Sequence, residues 1–200
     1  MTQPQSDPAA LAAQYLASGE PPDGPLGTAL YHHRAQPDVR RELLARLTPE
    51  TPARERAAAL AWIGRYQGAR SIQARQFVRL GLLDPEAGVR RAALRQVGNA
   101  LAGRPDAAKI AESEIAPHTQ AEREPDWLLR LTAWGALNVA LREDPLPRFL
   151  AVGGDPEPRV EEGVRLLSRL WLTRSNGDMT SAGGLNGQWE ALIASAEPPR

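Results

Sequence analysis

The chain has 200 residues, 24 basic against 24 acidic side chains, and no cysteine. That is enough length for one domain with a real core. The missing cysteine excludes disulfides, thiolate chemistry and Cys-type zinc sites and fits a cytosolic protein. A net charge of zero argues against a dedicated nucleic-acid binder. Lys109 is the one Lys among the basic residues, and so strong an Arg skew points to GC-rich coding before it points to phosphate binding. Abundant Ala, Leu and Arg with few β-branched runs favour helix.

In chain order, residues 1–8 are polar and Pro-containing and read as a disordered N-terminus. "DPAALAAQYLASG" is a helix, capped by Asp7, entered through Pro8 and stopped by Gly19. "EPPDGPLG" is a loop, and "TALYHHRA" and "PDVRRELLARL" are short helices. "TPETPARERAAALAWIGRY" is strongly helical, "SIQARQFVRLGLL" is a helix opened by Ser71, and a helix from Asp84 to Leu101 closes at Gly103. "RPDAAKIAESEIA" predicts a helix broken before Pro117. "EPDWLLRLTAWGALNVAL", the short "PLPRFLAV" and "EPRVEEGVRLLSRLWLT" follow as helices. "SNGDMTSAGGLNG" has the composition of a flexible linker leading to a small amphipathic helix, "QWEALIAS". No segment alternates at period two for long enough to make a strand. The expected organisation is a disordered 1–8, a helical-repeat domain over 9–172, a linker over 173–186, and a short helix with its tail over 187–200.

Self-similarity runs through the middle of the chain. "ERAAALAWIG" (55–64) lies under "VRRAALRQVG" (89–98) at a shift of 34 residues. A further shift of 40 brings in "LRLTAWGAL", and another of 31 brings Asp155, Pro156, Val160 and Val164 under Glu124, Pro125, Leu129 and Ala133. Val89, Ala93, Val97 and Ala100 make one apolar stripe, as do Val160, Val164, Leu167 and Trp171. No single helix pair can bury such a stripe, so pairs must stack. An acid also precedes an Arg by six residues three times: Glu50 and Arg56, Asp84 and Arg90, Glu124 and Arg130. In the fourth copy Asp155 is kept but Glu161 stands at the Arg position. Either Arg159 or Arg165 substitutes there, or that copy ends the stack.

Over residues 36–172 this pattern resembles HEAT repeats, with "LDPEAGVRRAALRQVG" the best match. The resemblance implies an all-α, right-handed α-solenoid of about four helix pairs. It also implies a structural ladder between neighbouring repeats, built from Glu50, Arg56, Asp84, Arg90, Glu124, Arg130 and Asp155. Arg54, Arg91 and Arg95 lie off that ladder and are the candidates for contacts with a partner, together with Trp127, whose place in a first turn could leave its ring open for stacking. Trp134 aligns with Leu60 and Leu94 and reads as core.

The chemistry-bearing residues are sparse. His32 and His33 are adjacent and point to different sides of a helix, and His118 is far away in sequence, so no metal site is expected. "GGLNG" lacks the Lys of a phosphate loop, and no Ser sits in a nucleophile elbow. No catalytic residue and no cofactor is expected. The longest uncharged apolar run near the middle, "LTAWGALNVAL", has eleven residues, where a membrane span needs roughly twenty. No signal peptide is visible at the N-terminus. These readings give a cytoplasmic protein with no membrane partner. Residues 49–103 carry nine Arg against four acids, and residues 104–162 seven bases against twelve acids. The expected function is a non-enzymatic scaffold presenting a curved helical-repeat surface to a protein partner. The alternative is a DNA-binding or alkylated-base-excising HEAT-like protein with an Arg-lined groove, in which Trp127, Asp126 and Arg130 would be the local cluster.

Overall fold

The computed structural model describes residues 7–67 and 72–195. Among them the chain is all-α, with eleven α-helices and no strand. It forms two compact units that divide after Ala100, in the last turn of a helix. Residues 1–6 of the expected disordered start, and the expected opener Ser71, lie outside the described residues. Asp7 and Pro8 already belong to the entry of the first helix.

The first unit contains α1 (Pro8–Ser18), α2 (Pro25–Tyr31), α3 (Pro37–Ala45), α4 (Ala53–Trp62), α5 (Ile72–Gly81) and nearly all of α6 (Ala87–Leu101). Asp7 accepts the Ala9 amide at 3.0 Å to cap α1, and Gly19 ends it at φ 65°, a left-handed position that a side chain would strain. Leu11, Tyr15, Leu16, Leu30, Val39, Leu43 and Trp62 form the core. Its two buried polar tips are satisfied: the Tyr15 hydroxyl donates to the Ala58 carbonyl and the Trp62 indole to the Gly27 carbonyl, both at 3.2 Å. The Tyr15 hydroxyl is pushed up from its ordinary value, first by burial and then by the nearby Tyr66, Asp23 and Glu20. α4 loosens into a π-helical turn over Ile63–Gln67, from which the Tyr66 hydroxyl donates to Pro22 O at 2.8 Å. Of the predicted α6 stripe, Val89, Ala93 and Val97 are buried. A Cβ on Gly81 would stand 2.6 Å from Leu60 and 2.9 Å from Ala93, so α5 needs glycine where it meets this core.

The second unit contains α7 (Ala107–Ile110), a π-helical turn (Ala111–Ile115), a 3-10 turn (Ala116–Thr119), α8 (Trp127–Leu141), α9 (Pro145–Ala151), α10 (Pro158–Ser175) and α11 (Met179–Ser195). Where one helix was expected before Pro117, the chain changes helix type twice. α8 is buried over most of its circumference. Trp134 packs edge-on to Phe149 with centroids 5.5 Å apart. α10 crosses α8 at Gly163, where a Cβ would stand 2.4 Å from a Leu131 methyl.

The linker expected over 173–186 is not a linker. Residues 173–175 finish α10, and α11 begins at Met179 and absorbs the rest together with "QWEALIAS". Each Gly weakens a helix by about 1 kcal/mol relative to Ala, which is why composition pointed the other way. Packing overrides it: Ala182, Leu185 and Trp189 close on Leu166 and Leu170 of α10. Asp178 also accepts the Ser181 amide at 3.0 Å and caps the new helix.

Candidate functional site

Among the described residues, an arginine fork in each unit ties distant parts of the chain together. Arg56, in the first turns of α4, donates from Nε and Nη2 to the two carboxylate oxygens of Asp84, both at 2.8 Å. Its Nη1 donates back to the carbonyls of Pro49 and Thr51. Arg130, at the same place in α8, donates to both oxygens of Asp155 at 2.7 and 2.8 Å. Its Nη1 donates back to Glu124 O at 2.9 Å and Pro125 O at 3.0 Å. Each Asp also shapes the turn ahead of the next helix: Asp84 accepts the Glu86 amide at 2.9 Å, and Asp155 accepts at 2.8 Å the amide of Glu157, the residue that caps α10. Arg90 repeats the back-contact, with Nη1 on the carbonyls of Asp84 and Pro85 at 2.9 and 2.7 Å. The six-residue spacing therefore has a local reason. An Arg one turn into a helix reaches back along the axis to the loop carbonyls that precede it.

Both pairs are removed from water, with side-chain exposures of 8% and 14% for Arg56 and Asp84 and 4% and 2% for Arg130 and Asp155. Burial pulls the Asp84 carboxyl up, but the Arg56 fork, the Glu86 amide and the charges of Arg56 and Arg90 outweigh it and hold the group below its ordinary value. The Asp84 carboxylate raises Arg56 above the ordinary guanidinium value, and the Asp155 carboxylate does the same to Arg130.

The remaining sequence candidates fall in different places. Glu50 is exposed, and Arg56 hydrogen-bonds the carbonyls on either side of it rather than its carboxylate. Its carboxyl is held low by its own backbone amide and by Thr48. Glu124 is buried, with Oε2 3.7 Å from His118 Nδ1. In the fourth copy Glu161 pairs with Arg165 one turn on, at 2.7 Å, while Arg159 pairs with Glu157 at 2.6 Å. Neither Arg takes the missing place. Arg159 instead lies over Trp127, 4.0 Å from the ring centroid, so one face of that ring is already covered. Arg54 donates to Ser18 O at the end of α1 and packs on Gly19. Arg91 is half-buried and Arg95 exposed on α6.

One feature of the second unit had no counterpart in the sequence reading. α10 and α11 leave between them an open groove of 790 Å³, which runs into a second recess of 470 Å³; Arg169 and Gln188 line both. The signal was the spacing of Ala182, Leu185, Trp189 and Ile193, a helical stripe hidden by the surrounding glycines. No helix among the described residues is long and apolar enough to cross a membrane, and no three His, Asp or Glu side chains among them gather as metal ligands. No protein-family model, no curated protein and no solved structure matches this chain.

Proposed function

We propose that the chain is a HEAT-like helical-repeat protein, an α-solenoid of about four helix pairs, and that it works without catalysis as a scaffold for a protein partner. The observation that carries this reading is the repeated fork. In both units an Arg early in the second helix of one pair binds the Asp that precedes the second helix of the next pair. Stacked repeats need such a link, because each pair contacts only its neighbours.

The same forks weigh against an Arg-lined groove for nucleic acid. Four of the five guanidinium N–H groups of Arg130 are directed at a carboxylate and two carbonyls, which leaves little to offer a phosphate. The partner surface is then sought on the first unit, where thirteen Arg stand against nine acids, while residues 101–200 hold eleven bases against fifteen acids. Arg91 and Arg95 on α6 would face an acidic partner. An affinity pull-down from the native host, with and without nuclease, tests this. Recovery of one protein under both conditions, lost in Arg91→Glu/Arg95→Glu with melting temperature unchanged, is the expected result. Recovery that nuclease abolishes overturns it.

A further inference from the structure

The groove between α10 and α11 carries a charge pattern with direction. Glu162 and Arg169 both line it. They are seven residues apart, so they stand on one face of α10, two turns and about 10 Å apart along the axis. Both are exposed, and neither forms an ion pair among the described residues. Arg165 lies between them with its charge already met by Glu161 at 2.7 Å. Leu166 is on the floor, and Leu172, 47% exposed, stands on the rim of the adjoining recess.

We propose that this groove is an interface with a second copy of the chain, α10 packing antiparallel on α10 of the copy, so that Glu162 of each meets Arg169 of the other. A partner of one sign would satisfy one end of the face and oppose the other. A copy run in the opposite direction satisfies both ends with a single contact made twice, as a two-fold interface requires. Near the dyad the Glu161–Arg165 pair keeps like charges from meeting unscreened. α11 leaves room for the approach at Gly184, which lines the recess and has nothing within 4 Å of where a side chain would begin. Glycine weakens a helix that has no need of it, and close packing by a second copy is such a need. This interface is independent of the acidic-partner surface on α6.

Sedimentation velocity on the full chain, over a concentration series at low and at high salt, reads the interface directly. A dimer that salt weakens is expected. Glu162→Arg and Arg169→Glu should each raise its dissociation constant about tenfold or more, and the double exchange should restore it. Both positions are exposed, so circular dichroism should show unchanged helix; if either variant unfolds, Leu172→Glu on the exposed rim takes its place with the same expected loss. A monomer up to about 100 µM, a dimer indifferent to both single exchanges, or a double exchange no tighter than the singles overturns the proposal.

Discussion

Arg130 Nη2 and Nε close on the two carboxylate oxygens of Asp155, twenty-five residues away, with both partners almost fully out of water. A forked pair of this kind is only as good as its completeness. Its desolvation is offset by two charge-assisted bonds and by the carbonyls of Glu124 and Pro125 on the remaining nitrogen. Removing one partner leaves the other charged and buried. Arg130→Ala should therefore destabilise the protein by about 3–5 kcal/mol, read by chemical denaturation. Arg130→Lys should recover only part of that loss, because an ammonium cannot fork onto two oxygens and two carbonyls together.

The Asp84 carboxyl gives a pH signature. Its folded-state value lies below the ordinary 3.8, so the unfolded chain takes up the proton first as the pH falls. Its contribution to stability is complete above the ordinary value and disappears as pH drops through the folded value. Asp84→Asn lacks that contribution at every pH. Melting curves of the two proteins should be well separated near neutrality and should converge as the pH falls from the ordinary carboxyl value through the lower folded-state value. A constant gap over that range would show that the fork is not what holds Asp84 ionised.

Glycine in helices separates into two kinds here, and the sign of an Ala substitution should tell them apart. Gly163 lies where α10 crosses α8, and a Cβ there would meet Leu131 at 2.4 Å. Gly163→Ala should cost about 1–3 kcal/mol through overpacking. Gly88, near the start of α6, is exposed, and nothing lies within 4 Å of its missing Cβ. Gly88→Ala should stabilise by about 0.4–1 kcal/mol. Thermal melts of the two variants measured together should move in opposite directions.

Trp127 and Arg159 are joined by a stacking contact at 4.0 Å that crosses from the first turn of α8 to the first turn of α10. Arg159→Ala should open that face of the indole to solvent. Acrylamide should then quench tryptophan emission more strongly than in the parent, and the increase should vanish when Trp127→Phe is added. An unchanged quenching constant would mean the guanidinium does not cover the ring in solution.

The helix ends marked by side-chain caps were the most readable part of this protein, whereas α2 begins at Pro25, inside the stretch expected to be a loop. Asp7, Pro8 and Gly19 bracket α1 as their local chemistry demands, and the Asp126 side chain accepts the Leu128 and Leu129 amides at the entry to α8. Such caps act within three or four residues, so they are written where they work. The apolar stripe Val89, Ala93, Val97 was readable for a related reason, since a helix repeats its face every few residues. α11 was not readable from composition: three glycines argue for coil, and only the Leu166 and Leu170 side chains of α10 make a helix the better state.

The sequence alone determined that this chain is helical, where its side-chain-capped helices such as α1 and α8 start, and that acids and arginines recur at a fixed six-residue spacing. That spacing accounts for the Arg-to-carbonyl contacts, which lie within one loop and one turn. It left open which carboxylate each guanidinium meets. The tertiary structure alone sent Arg56 to Asp84 and Arg130 to Asp155, left Glu50 in solvent, laid Arg159 over Trp127, and opened a groove beside α11. The physical reason is distance along the chain. Caps and back-contacts are made by neighbours in sequence, whereas forks, stacked rings and grooves need partners brought together from tens of residues apart, and burial of the whole core selects those partners.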